Sequence, residues 1–202
     1  MKTMTRTVLG SVAVAFLTTV MAVSRADARD PQSIVKSTTD EVLQALREGG
    51  ADEQQVYSLV EQKVLPHFDF RKMSQWVLGK NWRQGSPEEQ ERFVGEFQKL
   101  LVRTYSTALM EYSGETVTYL PTQADGEGKI AVVKTQVVRS GGPTIPIDYR
   151  LYPAGGDWKV FDVAVDGVSL VASYRTSFNE QIGAKGFSGL VDELAARNAG
   201  KR

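Results

Sequence analysis

The apolar residues of this chain change their spacing near residue 115, from a helical period to an alternating one. The alternating part contains four segments rich in β-branched and aromatic residues, at 115–123, 129–139, 144–153 and 157–165. The connections between them are short and contain glycine, so they cannot hold a parallel crossover, and consecutive strands should pair antiparallel. Since one face of such a sheet needs cover, we predict an α+β fold: a small twisted four-stranded antiparallel sheet wrapped by helices.

Residues that cap helices mark the helical segments on both sides of these strands. We predict helix N-caps at Asp30, Asp52, Asp69 and Ser169. The segment Ser86–Glu89 combines a capping box with a proline at the first helical position, and it opens a long helix predicted to reach Tyr112. A short final helix is predicted around Leu190.

The N-terminal segment is typical of a secretory signal peptide. Lys2 and Arg6 precede a mostly apolar run at 8–23, and small residues with cleavage-site spacing follow it. This run is shorter than the roughly 20 residues that a membrane-spanning helix needs, which disfavours the alternative of an uncleaved anchor. We therefore predict a signal peptide at 1–28, a single domain at 29–202 and export to a bacterial periplasm.

The composition excludes several kinds of chemistry. The chain has no cysteine and one histidine, which rules out disulfides, thiolate nucleophiles and a multi-histidine metal centre within one chain. Its 24 basic and 24 acidic residues give no general attraction to nucleic acid. His67 and Asp69 could act as a base and its orienting carboxylate in a hydrolase, but Asp69 is better explained as a helix cap. We predict no catalytic residues, no metal and no cofactor.

The 42% apolar content can be explained in two ways. A solid core and a hollow one both require apolar linings, so composition alone does not separate a ligand-binding protein from a ligand-free interaction module.

Several stretches, which together cover nearly all of the predicted mature chain, resemble the MlaC family, also called toluene-tolerance proteins. They are His67–Arg83 (HFDFRKMSQWVLGKNWR), the helix stretch Phe93–Tyr105, Trp158–Val163 (WKVFDV), Asp166–Val171 (DGVSLV), and Tyr174, Arg175 and Phe178. This resemblance implies a periplasmic phospholipid carrier whose lipid tails lie in a hydrophobic cavity between sheet and helices. It also implies a role in outer-membrane lipid asymmetry and toluene tolerance, as the substrate-binding component of an ABC transporter system.

The resemblance also implies the partners. Such carriers work between an outer-membrane lipoprotein–porin complex and an inner-membrane ABC transporter with an MCE-domain component, with phospholipid as the transported ligand. We expect no nucleic acid partner and a monomeric protein.

Alternation and helical spacing, rather than the resemblance, select the residues that we expect to line the lipid cavity. From the strands they are Val133, Val137, Ile147, Tyr149, Leu151, Phe161, Val163 and Val165. From the helices they are Met73, Val77, Phe97, Leu101, Tyr105, Leu109, Val168, Val171 and Tyr174.

Overall fold

The computed structural model describes most of the chain outside the predicted signal peptide. The described residues are 30–49, 52–111, 114–124, 127, 129–139 and 141–200. The predicted signal peptide at 1–28 and the predicted helix end at Tyr112 lie outside them. Within the described part, no helix has both the length and the apolar character that crossing a membrane requires.

Each helix begins directly after its predicted capping residue. They are α1 (Pro31–Gly49), α2 (Glu53–Leu59), α3 (Phe70–Leu78), α4 (Pro87–Met110) and α5 (Leu170–Asn198). The side chain of Asp52 accepts a hydrogen bond from the Gln55 amide at 2.9 Å, and that of Asp69 accepts one from the Lys72 amide at 2.8 Å. These short-range bonds fix each helix start, because every partner lies three residues away.

Helix α2 ends at Leu59 and is followed by a π-helical turn (Val60–Val64) and a 3-10 turn (Leu65–His67). One helical segment differs from the prediction. The predicted separate helix around Leu190 belongs to α5, which bends at Gly186, where φ is 75° and ψ is 177°. Only glycine adopts such a conformation readily, so this residue changes the helix direction before its last segment.

The capping box at the start of α4 is formed in both directions. The Glu89 amide donates to the Ser86 hydroxyl at 3.3 Å, and the Ser86 amide donates to the Glu89 carboxylate at 2.8 Å. We expect Ser86→Ala to lower the free energy of unfolding by about 1 kcal/mol, because it leaves one amide of the first turn without its partner. Urea denaturation of the variant and the wild type would measure this change. A Ser177→Ala variant, on the exposed side of α5, is the control and should change stability by less than about 0.5 kcal/mol.

The sheet has six strands among the described residues rather than the four that we predicted. They are β1 (Thr116–Tyr119), β2 (Gln123–Ala124), β3 (Ala131–Val138), β4 (Ile145–Ala154), β5 (Asp157–Val165) and β6 (Val168–Ser169). All named pairs are antiparallel, in the order β1-β3-β4-β5-β6, with β2 also paired to β3. Pro121, which has no amide hydrogen to donate, lies in the break that divides the first predicted strand into β1 and β2. The turn at Asp166 and Gly167 adds β6.

A β-bulge in β5 changes which face of the sheet Phe161 occupies. Arg150 pairs with Asp162 but Leu151 pairs with Val160, so Phe161 is the extra residue between them. Simple alternation placed Phe161 on the face of Val163, and this placement is wrong, because the bulge turns the Phe161 side chain to the opposite face. There its ring lies 5.1 Å from the Trp76 ring.

We name the two faces of the sheet by the helices that pack on them. The α1 face carries Val133, Tyr149 and Val163, and Val35 of α1 belongs to the same buried cluster. The α3 face carries Tyr152 and Phe161, whose rings meet edge to face with centres 5.9 Å apart.

The buried apolar residues form three clusters. The helical core joins α3, α4 and α5 with Phe161. The sheet core joins the α1 face with Val35 and Leu170. The hairpin core joins the α1–α2 hairpin with the second half of α4. Among the described residues, Phe68 is the one that packs against two of these clusters. A domain of this size usually has one contiguous core, so the division is a feature of this fold.

Candidate functional site

The α1 face of the sheet is closed at one end and open at the other. At the closed end Ala131, Leu151 and Val160 lie side by side, and all three are buried. At the other end Val137 and its neighbours on β1 and β4 are only partly buried. The face therefore forms an apolar surface whose cover decreases along the strands.

Helix α4 presents two apolar stripes, and they face different clusters. Phe97 and Leu101 belong to the helical core, whereas Val102, Leu109 and Met110 pack against the hairpin core. The principal packing partners of α4 are other helices, α2, α3 and α5, while the sheet packs mainly against α1, α3 and α5. The second half of α4 thus lies beyond the first helical layer on the sheet.

The structure distributes the predicted lining residues over several environments. The α1 face carries Val133, Val137, Ile147, Tyr149, Leu151, Val163 and Val165. The helical core contains or contacts Met73, Val77, Phe97, Leu101, Phe161, Val171 and Tyr174. Leu109 packs against the hairpin core, while Tyr105 and Val168 are exposed. The strand residues are therefore brought together, apart from Phe161, and most of the helix residues lie in a different cluster.

The helical core is filled by aromatic side chains. The ring centre of Phe97 lies 5.6 Å from that of Phe93 and 5.7 Å from those of Tyr174 and Phe178. Edge-to-face and stacked contacts at these distances are those of close-packed protein interiors. This cluster has the packing of a structural core.

Hydroxyl groups interrupt the apolar α1 face near its middle. Tyr119 of β1 pairs in register with Thr135 of β3, and Tyr149 of β4 is the diagonal neighbour of Thr135. Desolvation raises the pKa of Tyr149 to about 12 and also raises the pKa of Tyr119. Both hydroxyls therefore stay protonated and neutral at neutral pH.

Sequence reasoning missed several of the residues around this face. Val35 and Leu170 complete the sheet core, and Tyr119 and Ser106 carry enclosed hydroxyls. The helical period of α1 contained a signal for Val35, which shares an apolar stripe with Val42 and Leu46. No local signal marks Ser106, because its burial depends on elements that are distant in sequence.

Asp69, the carboxylate that would orient His67 in the alternative of a hydrolase, is committed to structural hydrogen bonds. One carboxylate oxygen accepts the Lys72 amide and the other accepts the hydroxyl of Tyr152. Desolvation, and then the bond to Asp69, raises the pKa of Tyr152 to about 12. Asp69 is thus confirmed as a helix cap, and it joins α3 to β4. No cluster of three or more potential metal ligands occurs in the part of the chain that the structure describes.

A buried carboxylate holds the start of α5 against the sheet. Asp162, 2% exposed, accepts hydrogen bonds from the Ser169 hydroxyl at 2.7 Å and the Val171 amide at 3.2 Å. The guanidinium group of Arg150 lies 4.0 Å away. Placing a negative charge at a helix N-terminus is favourable, so this interaction explains why Asp162 and Ser169 occur in the strand-to-helix motif.

Two surface clefts of about 580 Å³ each lie outside the predicted lining. One lies along α1 and α2 and is bordered by Leu46, Asp52 and Gln62. The other is bordered by Asn81 and Asn179, whose side-chain amides bond to each other at 2.8 Å. Their linings include none of the residues selected from the sequence.

Comparison with known proteins identifies the family. The model of the MlaC protein family matches residues 36–196. The chain is 30% identical over 167 residues to the toluene tolerance protein Ttg2D of Pseudomonas putida, covering 79% of this chain and 76% of that protein. It is 22% identical over 195 residues to the intermembrane phospholipid transport system binding protein MlaC of Haemophilus influenzae, covering 93% and 90% of the two chains.

A solved structure has the same fold. The phospholipid-binding protein of Ralstonia solanacearum, determined in complex with a phospholipid, matches with a TM-score of 0.78 and 34% identity over 85% of this chain and 98% of that one. Together with the family match over most of the folded part, this shows that the chain belongs to the MlaC family.

Proposed function

We propose that the mature protein is a periplasmic carrier that binds phospholipid by its acyl chains and moves it between the outer and inner membranes. The observation that carries this proposal is the fold shared with a protein determined in complex with a phospholipid, over nearly the whole length of that protein. The relative from Haemophilus influenzae is named as the binding protein of an intermembrane phospholipid transport system, which supports the same role.

We place the acyl chains against the α1 face of the sheet, beneath α1. Two features support this place: the apolar cover of the face decreases toward one end, and the sheet core is separate from the hairpin core. The proposed lining keeps Val133, Ile147, Tyr149, Val163 and Val165 from the sequence-based selection. The proposed lining leaves out four helix selections, because Leu101 lies in the helical core, Leu109 packs against the hairpin core, and Tyr105 and Val168 are exposed.

The energetics of lipid transfer explain why an apolar lining suffices. Burying one methylene contributes roughly 0.8 kcal/mol, so two chains of about 15 methylenes each represent on the order of 24 kcal/mol. A carrier must match most of this free energy with a cavity near the upper end of the usual range, about 1,000 Å³. The charged head group stays at the open end of the α1 face, because burying it without partners is costly. Transport then involves no bond making or breaking.

The partners follow from the same role. We propose that the protein receives or delivers lipid at an outer-membrane lipoprotein–porin complex and at an inner-membrane ABC transporter with an MCE-domain component. Purified mature protein should move labelled phospholipid from donor vesicles to proteoliposomes that contain such a transporter, and faster than to protein-free vesicles. Equal rates to both acceptors would contradict the transporter partnership while leaving lipid binding intact.

Solvent extraction of the mature protein, purified without detergent, tests the binding function. Mass spectrometry of the extract should show intact diacyl phospholipid in about equimolar amount. Lysophospholipid and free fatty acid that disappear in a His67→Ala variant would instead indicate a hydrolase. Absence of any lipid, both as purified and after incubation with phospholipid vesicles, would indicate a ligand-free interaction module.

A further inference from the structure

Three enclosed side-chain hydroxyls of the described residues have no hydrogen-bond partner. Of the four enclosed side-chain atoms that lack a partner among the described residues, three are the hydroxyls of Thr38, Ser106 and Tyr119. They lie on three different elements, α1, α4 and β1, and Ser106 is only 2% exposed. Enclosed polar atoms in folded proteins almost always have partners, so these hydroxyls require an explanation.

Tyr119 has the best-defined surroundings of the three. Its register partner Thr135 donates its own hydroxyl hydrogen to the Ile147 carbonyl at 2.9 Å, and no hydrogen bond joins Thr135 to the enclosed Tyr119 hydroxyl. Desolvation raises the pKa of Tyr119, and the nearby Thr39 side chain opposes this increase, but Thr39 forms no hydrogen bond of normal geometry with the Tyr119 hydroxyl.

The charged groups near the Tyr119 hydroxyl favour an uncharged hydrogen-bond acceptor as its partner. The ammonium group of Lys36 lies 5.6 Å from the centre of the Tyr119 ring, but it is paired with Asp40 on the same helix. The other neighbours on this face are uncharged: the hydroxyls of Thr135 and Tyr149 and the apolar side chains of the sheet core. A phosphate or a carboxylate would therefore lose its hydration without gaining an unpaired cation, whereas a carbonyl oxygen needs only a donor.

An acyl ester of a bound phospholipid supplies an uncharged acceptor at the level of Tyr119 along the α1 face. In a diacyl phospholipid, the ester carbonyls lie between the charged head group and the apolar chains. Tyr119 likewise lies along the α1 face between its closed end and the row of Val117, Val137 and Ile145 at its open end. Chains held against the closed end would place the ester groups near the middle of the face.

We propose that the hydroxyl of Tyr119 donates a hydrogen bond to an ester carbonyl of the bound lipid, so that the site distinguishes ester-linked from ether-linked phospholipids. This inference rests on the proposed lipid-binding function and adds to it the part of the ligand that the interior recognises.

Competition between two synthetic lipids tests the inference. Diester and diether phosphatidylethanolamines of equal chain length would displace a fluorescent phospholipid from the mature wild-type protein. We expect about three- to tenfold tighter binding of the diester, the range for one hydrogen bond. Tyr119→Phe should reduce this ratio to about one by weakening diester binding alone. Tyr57→Phe, on α2 and away from the sheet face, is the matched control and should keep the wild-type ratio.

The possible results distinguish ester recognition by Tyr119 from phospholipid binding itself. Equal affinity of the wild type for both lipids would overturn ester recognition but not lipid binding. An equal decrease in the affinity for both lipids in Tyr119→Phe would have the same consequence. Displacement by neither lipid overturns the proposed function as well. The wild-type comparison needs no substitution, so a folding defect in the variant cannot decide the result.

Discussion

Replacing Val163 with aspartate is expected to remove nearly all co-purified phospholipid. Val163 is 7% exposed and lies on the α1 face opposite Tyr149, where we place the acyl chains. A carboxylate there must either stay unpaired in an apolar space or admit water. Either consequence weakens lipid binding by several kcal/mol. Quantitative mass spectrometry of lipid per protein chain measures the loss.

The neighbouring residue gives a matched control. Ala164 follows Val163 in the same strand but points to the opposite face, and it is only partly buried. Ala164→Asp introduces the same charge one position away and should retain lipid at the wild-type level. Loss of lipid in both variants, or in neither, would contradict our assignment of the α1 face.

Because an aspartate in the sheet core also destabilises the fold, a second variant keeps the test independent of stability. Ile147→Trp adds apolar volume to the partly buried α1 face without burying a charge. We expect a folded protein, with a wild-type-like circular dichroism spectrum, that holds less lipid because the indole occupies part of the space for the chains. Full lipid content in this folded variant would place the chains elsewhere.

Replacing Phe97 with alanine is expected to destabilise the lipid-free protein by about 3–5 kcal/mol. The Phe97 side chain is fully buried and contacts the rings of Phe93, Tyr174 and Phe178 in the helical core. Its removal leaves a cavity that packed aromatic neighbours cannot easily fill. Urea denaturation of the delipidated wild type and variant measures the difference in the free energy of unfolding.

Tyr105 provides the comparison for Phe97 on the same helix. Its side chain is 38% exposed, so Tyr105→Ala should cost much less stability. If Phe97→Ala cost less than about 1 kcal/mol, the helical core would not be closely packed. Phe97, Met73 and Val77 would then again be candidates for contact with the lipid, as their helical spacing predicted.

The family signature has a structural explanation in these contacts. Asp69 caps α3 and binds Tyr152, and Asp162 holds the first turn of α5 through Ser169 and the Val171 amide. Both carboxylates join a helix to the sheet. The motifs that identify the family therefore specify how the helices are attached, whereas the proposed lipid contacts come from ordinary aliphatic residues.

The features that could be predicted from the sequence are those that depend on residues close together in the chain. The caps at Asp52, Asp69 and Ser86 were predictable because each bond spans three residues, and the antiparallel pairing followed from the short connections. The family was also recognisable from its motifs.

The tertiary structure decided which residues share a surface. The bulge that moves Phe161 to the α3 face depends on the register between β4 and β5, and the alternating pattern of β5 contains no sign of it. The separation of the helical core from the α1 face, and the enclosure of Tyr119 and Ser106, arise from contacts between elements far apart in the chain. Local patterns determine that a residue is apolar and which side of its own element it occupies, but only the packed fold determines which apolar surfaces meet.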